Sequence, residues 1–284
     1  MSSWILKLIS TVALLLLAFR LMAGGADQPL VTTTEANNLL SIRKYINDEN
    51  PSVVLVGSSL LFRISESYFS SLKVDNLALA GESSITGLAI IEDRPTSPRL
   101  VIIETNLIVR PVDKLLVAAS RGRATFGRPI RILAQKYEDL IHTPPDKDRA
   151  KRDQDQMLSM PAADAVNQTQ LARSIAASFA DYPSAVVEAN LTEMTRMIST
   201  LKKRGTRIAL LDVPMSPQLE SEPLFAKARQ RVRLAFRDQN WLEPNVEMSE
   251  LRWTDGAHFD TRSAIIFARA IEASAKILLT SSGQ

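Results

Sequence analysis

Two histidines and no cysteine leave this 284-residue chain few ways to activate a nucleophile. Thiol catalysis, Cys-ligated zinc and disulfides are excluded. The search for a base narrows to His142 and His258. His142 precedes Thr-Pro-Pro, a position that suits an exposed helix C-terminus. His258 stands in RWTDGAHFDTRSA, three residues after Asp255. So short a loop lets the carboxylate turn back onto the imidazole and orient it, leaving the other ring nitrogen for a hydroxyl. The same spacing also fits a helix N-terminus carrying chance polar residues. A hydroxyl is offered far upstream by VVLVGSSLLFRI, where the apolar run Val53–Val56 meets Gly57, Ser58 and Ser59. A tight turn with a capping serine accounts for that pattern. So does a nucleophile at the carboxyl end of a parallel strand, where open α/β sheets bind ligands.

The elements that must position these groups follow from the apolar pattern. Val53–Val56, Val74–Gly81, Leu100–Thr105 and Arg207–Pro214 read as strands. Helical segments separate them: SSITGLAIIEDR, and SAVVEANLTEMTRMISTLKKRG, which Gly205 stops. A leading helix has Thr34 as N-cap and an apolar stripe of Leu39, Leu40, Ile42 and Ile46. The closing helix is TRSAIIFARAIEASAKILL, with Asp260 capping or abutting it. Continuous apolar strands alternating with helices predict an α/β fold, a three-layer α/β/α sandwich with a mainly parallel central sheet. Between the third and fourth strands lies an insertion at about 108–186. Its FGRPIRILAQKYEDLIH stretch reads as helical, and the charged Thr143–Asp164 as a mobile loop. Lys227–Arg237, rich in arginine, reads as a solvated amphipathic helix or as a contact for an anionic polymer or lipid surface. Trp253 reads as core. Leu211–Pro217 reads as a Pro-rich turn or as part of a pocket lining.

Taken together, four segments resemble the SGNH hydrolase family, the GDSL-type esterases and lipases. GSSL, Gly57–Leu60, matches the Gly-Asp-Ser-Leu block, which implies Ser59 as nucleophile. NLALAG ends on Gly81, matching the oxyanion-hole glycine, and ETNL places Asn106 at the oxyanion asparagine. DGAH matches the terminal Asp-x-x-His, giving Asp255 and His258. The resemblance implies a catalytic set of Ser59, His258 and Asp255 and an oxyanion hole of Ser59, Gly81 and Asn106, with neither cofactor nor metal. Three positions depart from the family: Ser58 replaces Asp, Glu104 replaces Gly and Leu107 replaces Asp. The Gly-Ser-Ser block is most similar to membrane-tethered branches that add or move acyl groups on envelope polymers. Those branches imply an acylated carbohydrate as substrate and an integral membrane acyltransferase as partner. A non-catalytic scaffold that binds glycan or such a partner is the alternative.

Composition sets the outer bounds. A 45% hydrophobic chain of this length buries a substantial core. A net charge of +3 is no nucleic-acid footprint, so no such partner is expected. Residues 1–26 carry Lys7, an apolar run from Leu8 to Phe19, Arg20 and small residues. They read as a signal anchor or a cleaved signal peptide. The expectation is an exported body, held at the inner membrane and facing the periplasm, or secreted if residues 1–26 are cut. Residues 27–50 form a linker and leading helix, and 51–284 the SGNH-like domain.

Overall fold

The computed structural model describes residues 4, 7–8, 10–15, 34–48, 51–106, 108–121, 147–162 and 184–280. Five strands form one sheet in the order β2-β1-β3-β4-β5, every pairing parallel. They are β1 (Val53–Val56), β2 (Val74–Asn76), β3 (Leu100–Glu104), β4 (Arg207–Leu211) and β5 (Trp241–Leu242). The helices are α1 (Thr34–Asn47), α2 (Ser59–Phe62), α3 (Ser84–Glu92), α4 (Lys114–Arg121) and α5 (Lys147–Ser159). After these come α6 (Ser184–Lys203), α7 (Pro217–Glu220), α8 (Pro223–Ala235) and α9 (Thr261–Thr280).

Side chains alternate across a strand, so each strand feeds two cores. Val54 and Val56 pack with Ile42 and Tyr45 of α1, Leu88 of α3 and Met194 and Met197 of α6. Val53 and Leu55 face the other way, against Leu60, Leu61, Trp253, and Phe267 and Ile271 of α9. The outcome is the three-layer α/β/α sandwich that the apolar runs require. Trp253 is core, its ring 5.9 Å from that of Phe259.

β1 fills its expected run, while β2, β3 and β4 stop short of theirs. β2 stops at Asn76 because the side chain of that residue takes over: Oδ1 accepts from Ala78 N–H, and Nδ2 donates to Leu61 and Ile64 carbonyls. Backbone pairing nonetheless continues at Leu77 and Leu79, which donate to Leu55 and Gly57. Thr34 is the first residue of α1, so it is not the cap. In the expected stripe of α1, Leu40 is exposed, while Asn38 and Tyr45 are buried instead. Thr143–Asp164 is not wholly loop: α5 forms within it, secured where Arg269 meets Asp155 (2.9 Å) and Gln154 donates to the Ser67 carbonyl. The FGRPIRILAQKYEDLIH stretch with His142, and Leu107, lie outside the described residues.

α9 is tied down at its start and along its length. Asp260 Oδ1 caps it, accepting from Ser263 N–H at 2.7 Å. Further along, buried Glu272 gathers the backbone N–H groups of Ser70, Ser71 and Leu72 and the hydroxyls of Ser70 and Ser71. Most of residues 1–26 lie outside the described set. Within it, Trp4, Leu8, Val12, Leu14 and Leu15 are exposed. Among the described residues no helix is long and apolar enough to cross a membrane.

Candidate active site

The strand order reverses between β1 and β3, one leading to each side of the sheet. Such a switch point opens a crevice beyond the strands' carboxyl ends. Gly57, Ser58 and Ser59 leave β1 there. Ser58 takes an extended conformation (φ −95°, ψ −162°) and caps α2, its Oγ accepting from Leu60 N–H at 3.2 Å. Ser59 is the first residue of α2 and partly exposed. The opening serines therefore divide their work: Ser58 is buried in the turn and Ser59 faces outward.

The loop before α9 brings the imidazole of His258. Gly256 holds φ at 87°, a left-handed conformation that lets the chain fold back within Asp255–His258. Asp255 Oδ1 accepts from the N–H groups of Ala257 (3.0 Å) and His258 (2.8 Å). Its Oδ2 lies 2.6 Å from His258 Nδ1, so the ring takes the tautomer with that nitrogen protonated. Nε2 then accepts from Ser59 Oγ at 2.8 Å, across 199 residues of sequence. Burial opposes a charge on Asp255, yet the bonds and field of His258 and the Ala257 N–H outweigh it and hold the carboxyl at about 2. The loop is braced from behind: Ser216 N–H donates to the Gly256 carbonyl (2.8 Å), and Trp253 Nε1 donates to that of Pro214 (3.0 Å). Leu211–Pro217 is thus a strut under the loop.

Ser59, Gly81 and Asn106 follow β1, β2 and β3, three neighbouring strands. Gly81 has φ 82°. Neither its N–H nor that of Ser59 donates to a backbone group among the described residues. Asn106 is more constrained than its match implies. Its Nδ2 donates to the Val213 carbonyl and its Oδ1 accepts from Val213 N–H, both at 2.8 Å. One Nδ2 hydrogen remains for a developing oxyanion. Asn38, missed in the sequence, clamps Ala80 in the same two-handed way at 2.9 and 2.8 Å, steadying the residue before Gly81.

A second missed residue is Glu104. Its carboxylate accepts from Ser58 N–H at 2.7 Å and from Ser58 Oγ at 2.9 Å. Glu104 is 2% exposed and Ser58 1%. Burial pushes the carboxyl up to about 7, against the pull of the Ser58 bonds, the Leu61 N–H and the field of His258. Gly57 makes room: a Cβ there would stand 2.5 Å from Glu104 Oε2. The sequence signal was present, since Ser58 and Glu104 are both departures from the family blocks.

The arginines of α8 engage in ion pairs. Arg229 bonds Glu220, Arg233 bonds Asp212 at 2.9 Å and stacks over Trp241, and Arg231 bonds Glu188. Arg233 ties α8 to Asp212 after β4 and to Trp241 of β5, while Arg229 and Arg231 tie it to neighbouring helices.

No sequence-family model and no curated protein matches the chain. A solved structure from Bacteroides fragilis, described as a "putative acylhydrolase", is similar at 13% identity with a TM-score of 0.44. The alignment covers 85% of this chain and 98% of the other. Similarity at that level does not assign a chemistry.

Proposed function

We propose that the protein is a serine esterase or acyltransferase of the SGNH type, acting on ester-linked acyl groups through Ser59, His258 and Asp255. The observation that carries this reading is the continuous chain from the Asp255 carboxylate through the His258 ring to the Ser59 hydroxyl. In the first step Ser59 Oγ bonds to the acyl carbon, its proton passes to His258 Nε2, and the carbonyl electron pair moves onto oxygen. The Ser59 and Gly81 N–H groups and the remaining Asn106 N–H stabilise that oxyanion. Collapse breaks the ester C–O bond, and His258 returns the proton to the leaving alkoxide. Water or a sugar hydroxyl then attacks the acyl-enzyme by the same steps reversed. Asp255 keeps the ring oriented and stabilises its cationic form throughout.

The finer reading is an exported enzyme that modifies O-acyl groups of an envelope or extracellular polysaccharide. Its support is the Gly-Ser-Ser block together with the composition of residues 1–26. The test is p-nitrophenyl acetate turnover and labelling by a fluorophosphonate, wild type against Ser59→Ala. The expected loss is about 10³-fold or more. Equal turnover and labelling in the two would leave only a scaffold.

A further inference from the structure

We propose that Glu104 is a positioning residue for the nucleophile: reaching across from β3, its carboxylate fixes the Ser58 backbone and hydroxyl, and thereby where Ser59 presents its own N–H and Oγ. The inference rests on Ser59 being the nucleophile.

Three observations carry it. First, the contact is two-handed: the carboxylate takes both the N–H and the O–H of Ser58, the residue immediately before Ser59. With its proton committed to Glu104, the Ser58 hydroxyl has a lone pair left for Leu60 N–H, which starts α2. Second, the arrangement is costly for a purely structural purpose. A carboxylate sealed at the end of the apolar strand LVIIE pays a desolvation penalty that a packed apolar residue would avoid. Gly57 leaves the space into which both the Cβ and the carboxylate of Glu104 fit, 2.8 and 2.5 Å from where a Cβ at 57 would stand. Third, Glu104 and His258 share one electrostatic environment. Among the described residues, His258 is the ionisable group whose field acts on the Glu104 carboxyl. The remaining groups facing it, from Ser58 and Leu61, are uncharged donors. An ionised Glu104 therefore holds the nucleophile in place and favours the imidazolium that forms as Ser59 attacks.

The departures at 58 and 104 then read as one exchange. The carboxylate is absent from the β1 turn and is supplied to the same place from β3.

The test uses the full-length chain, with fluorophosphonate labelling and p-nitrophenyl acetate turnover followed from about pH 5 to 9. Glu104→Gln keeps the shape and removes the charge. The expected result is an acylation rate about 10²-fold lower. Its acid limb should also simplify from steeper than one ionisation in wild type to a single proton. The paired variant Ser58→Asp with Glu104→Gly returns a carboxylate to the turn and is expected to recover about tenfold of that loss. A wild-type rate and profile in Glu104→Gln would overturn the proposal. So would a rate loss with the pH profile unchanged and no recovery in the paired variant, which is the behaviour of a packing residue. Should Glu104→Gln fail to melt cooperatively, Ser58→Ala removes one of the two bonds with Glu104 in place. Labelling about tenfold slower is then expected, and an unchanged rate would overturn the proposal. Wild type inert to both reagents is a separate failure, that of Ser59 as nucleophile.

Discussion

Glu104 and Glu272 are both buried glutamates, 2% and 4% exposed, and both accept hydrogen bonds from serines. Their acidities nevertheless lie on opposite sides of the ordinary value. Burial opposes the charge on Glu272 as well, but backbone N–H groups of Ser71, Ser70 and Leu72 and the Ser71 hydroxyl bring its carboxyl down to about 2. Glu104, deeper and with its bonds drawn mainly from Ser58, sits at about 7. The number of donors set against the depth of burial decides whether a buried carboxylate is a fixed anion or a titrating group. Glu272 is a rivet joining α9 to the 70–72 loop. Glu104 is adjustable, and it lies beside the candidate nucleophile.

The largest expected effect tests the rivet. Glu272→Gln leaves the N–H groups of Ser70, Ser71 and Leu72 facing an amide in place of a carboxylate, and should cost about 3–5 kcal/mol in urea unfolding near neutral pH. A loss below about 1 kcal/mol would mean that water replaces the carboxylate freely.

The second prediction separates the two glutamates by sign. The folded chain keeps the Glu104 proton from the ordinary value of 4.5 up to about 7, after the unfolded chain has released it. Stability therefore falls as pH rises through that window, by an amount on the order of 3 kcal/mol. Glu272 and Asp255, held at about 2, contribute stability that is complete above the ordinary carboxylate range and is lost as pH falls toward 2. Urea midpoints across pH for wild type and Glu104→Gln should diverge on the neutral side only, the variant losing the decline. Divergence on the acid side instead would place Glu104 with the fixed anions.

The smallest effect comes from a carboxylate capping with a single described donor. Asp260→Ala removes the cap on Ser263 N–H and should cost about 1 kcal/mol in the same unfolding measurement. A cost equal to that of Glu272→Gln would show that donor number does not scale the contribution.

Local features of this molecule were readable in the sequence. Val53–Val56 is apolar at every position because both faces of β1 are covered, and Asp255 and His258 meet within one short loop. α5 was missed because its residues are too polar to show a period, and its order comes from contacts with the distant Arg269 guanidinium and Ser67 carbonyl. β5 was missed because two residues, Trp241 and Leu242, are too few for a pattern. In the site, the substituted positions 58 and 104 were visible one at a time. That they bond each other was hidden by 46 residues of separation, which only β1–β3 pairing closes.

Gly57 has a consequence for how such a chain changes over time. Because any Cβ at 57 collides with the Glu104 carboxylate, the two positions cannot drift independently. Shortening 104 alone does not open 57, because the Cβ of residue 104 would itself stand 2.8 Å from a Cβ there. Divergent copies of this chain are therefore expected to show a glycine at one of the two positions whenever the other carries a side chain, with the exchange at 58 tracking 104.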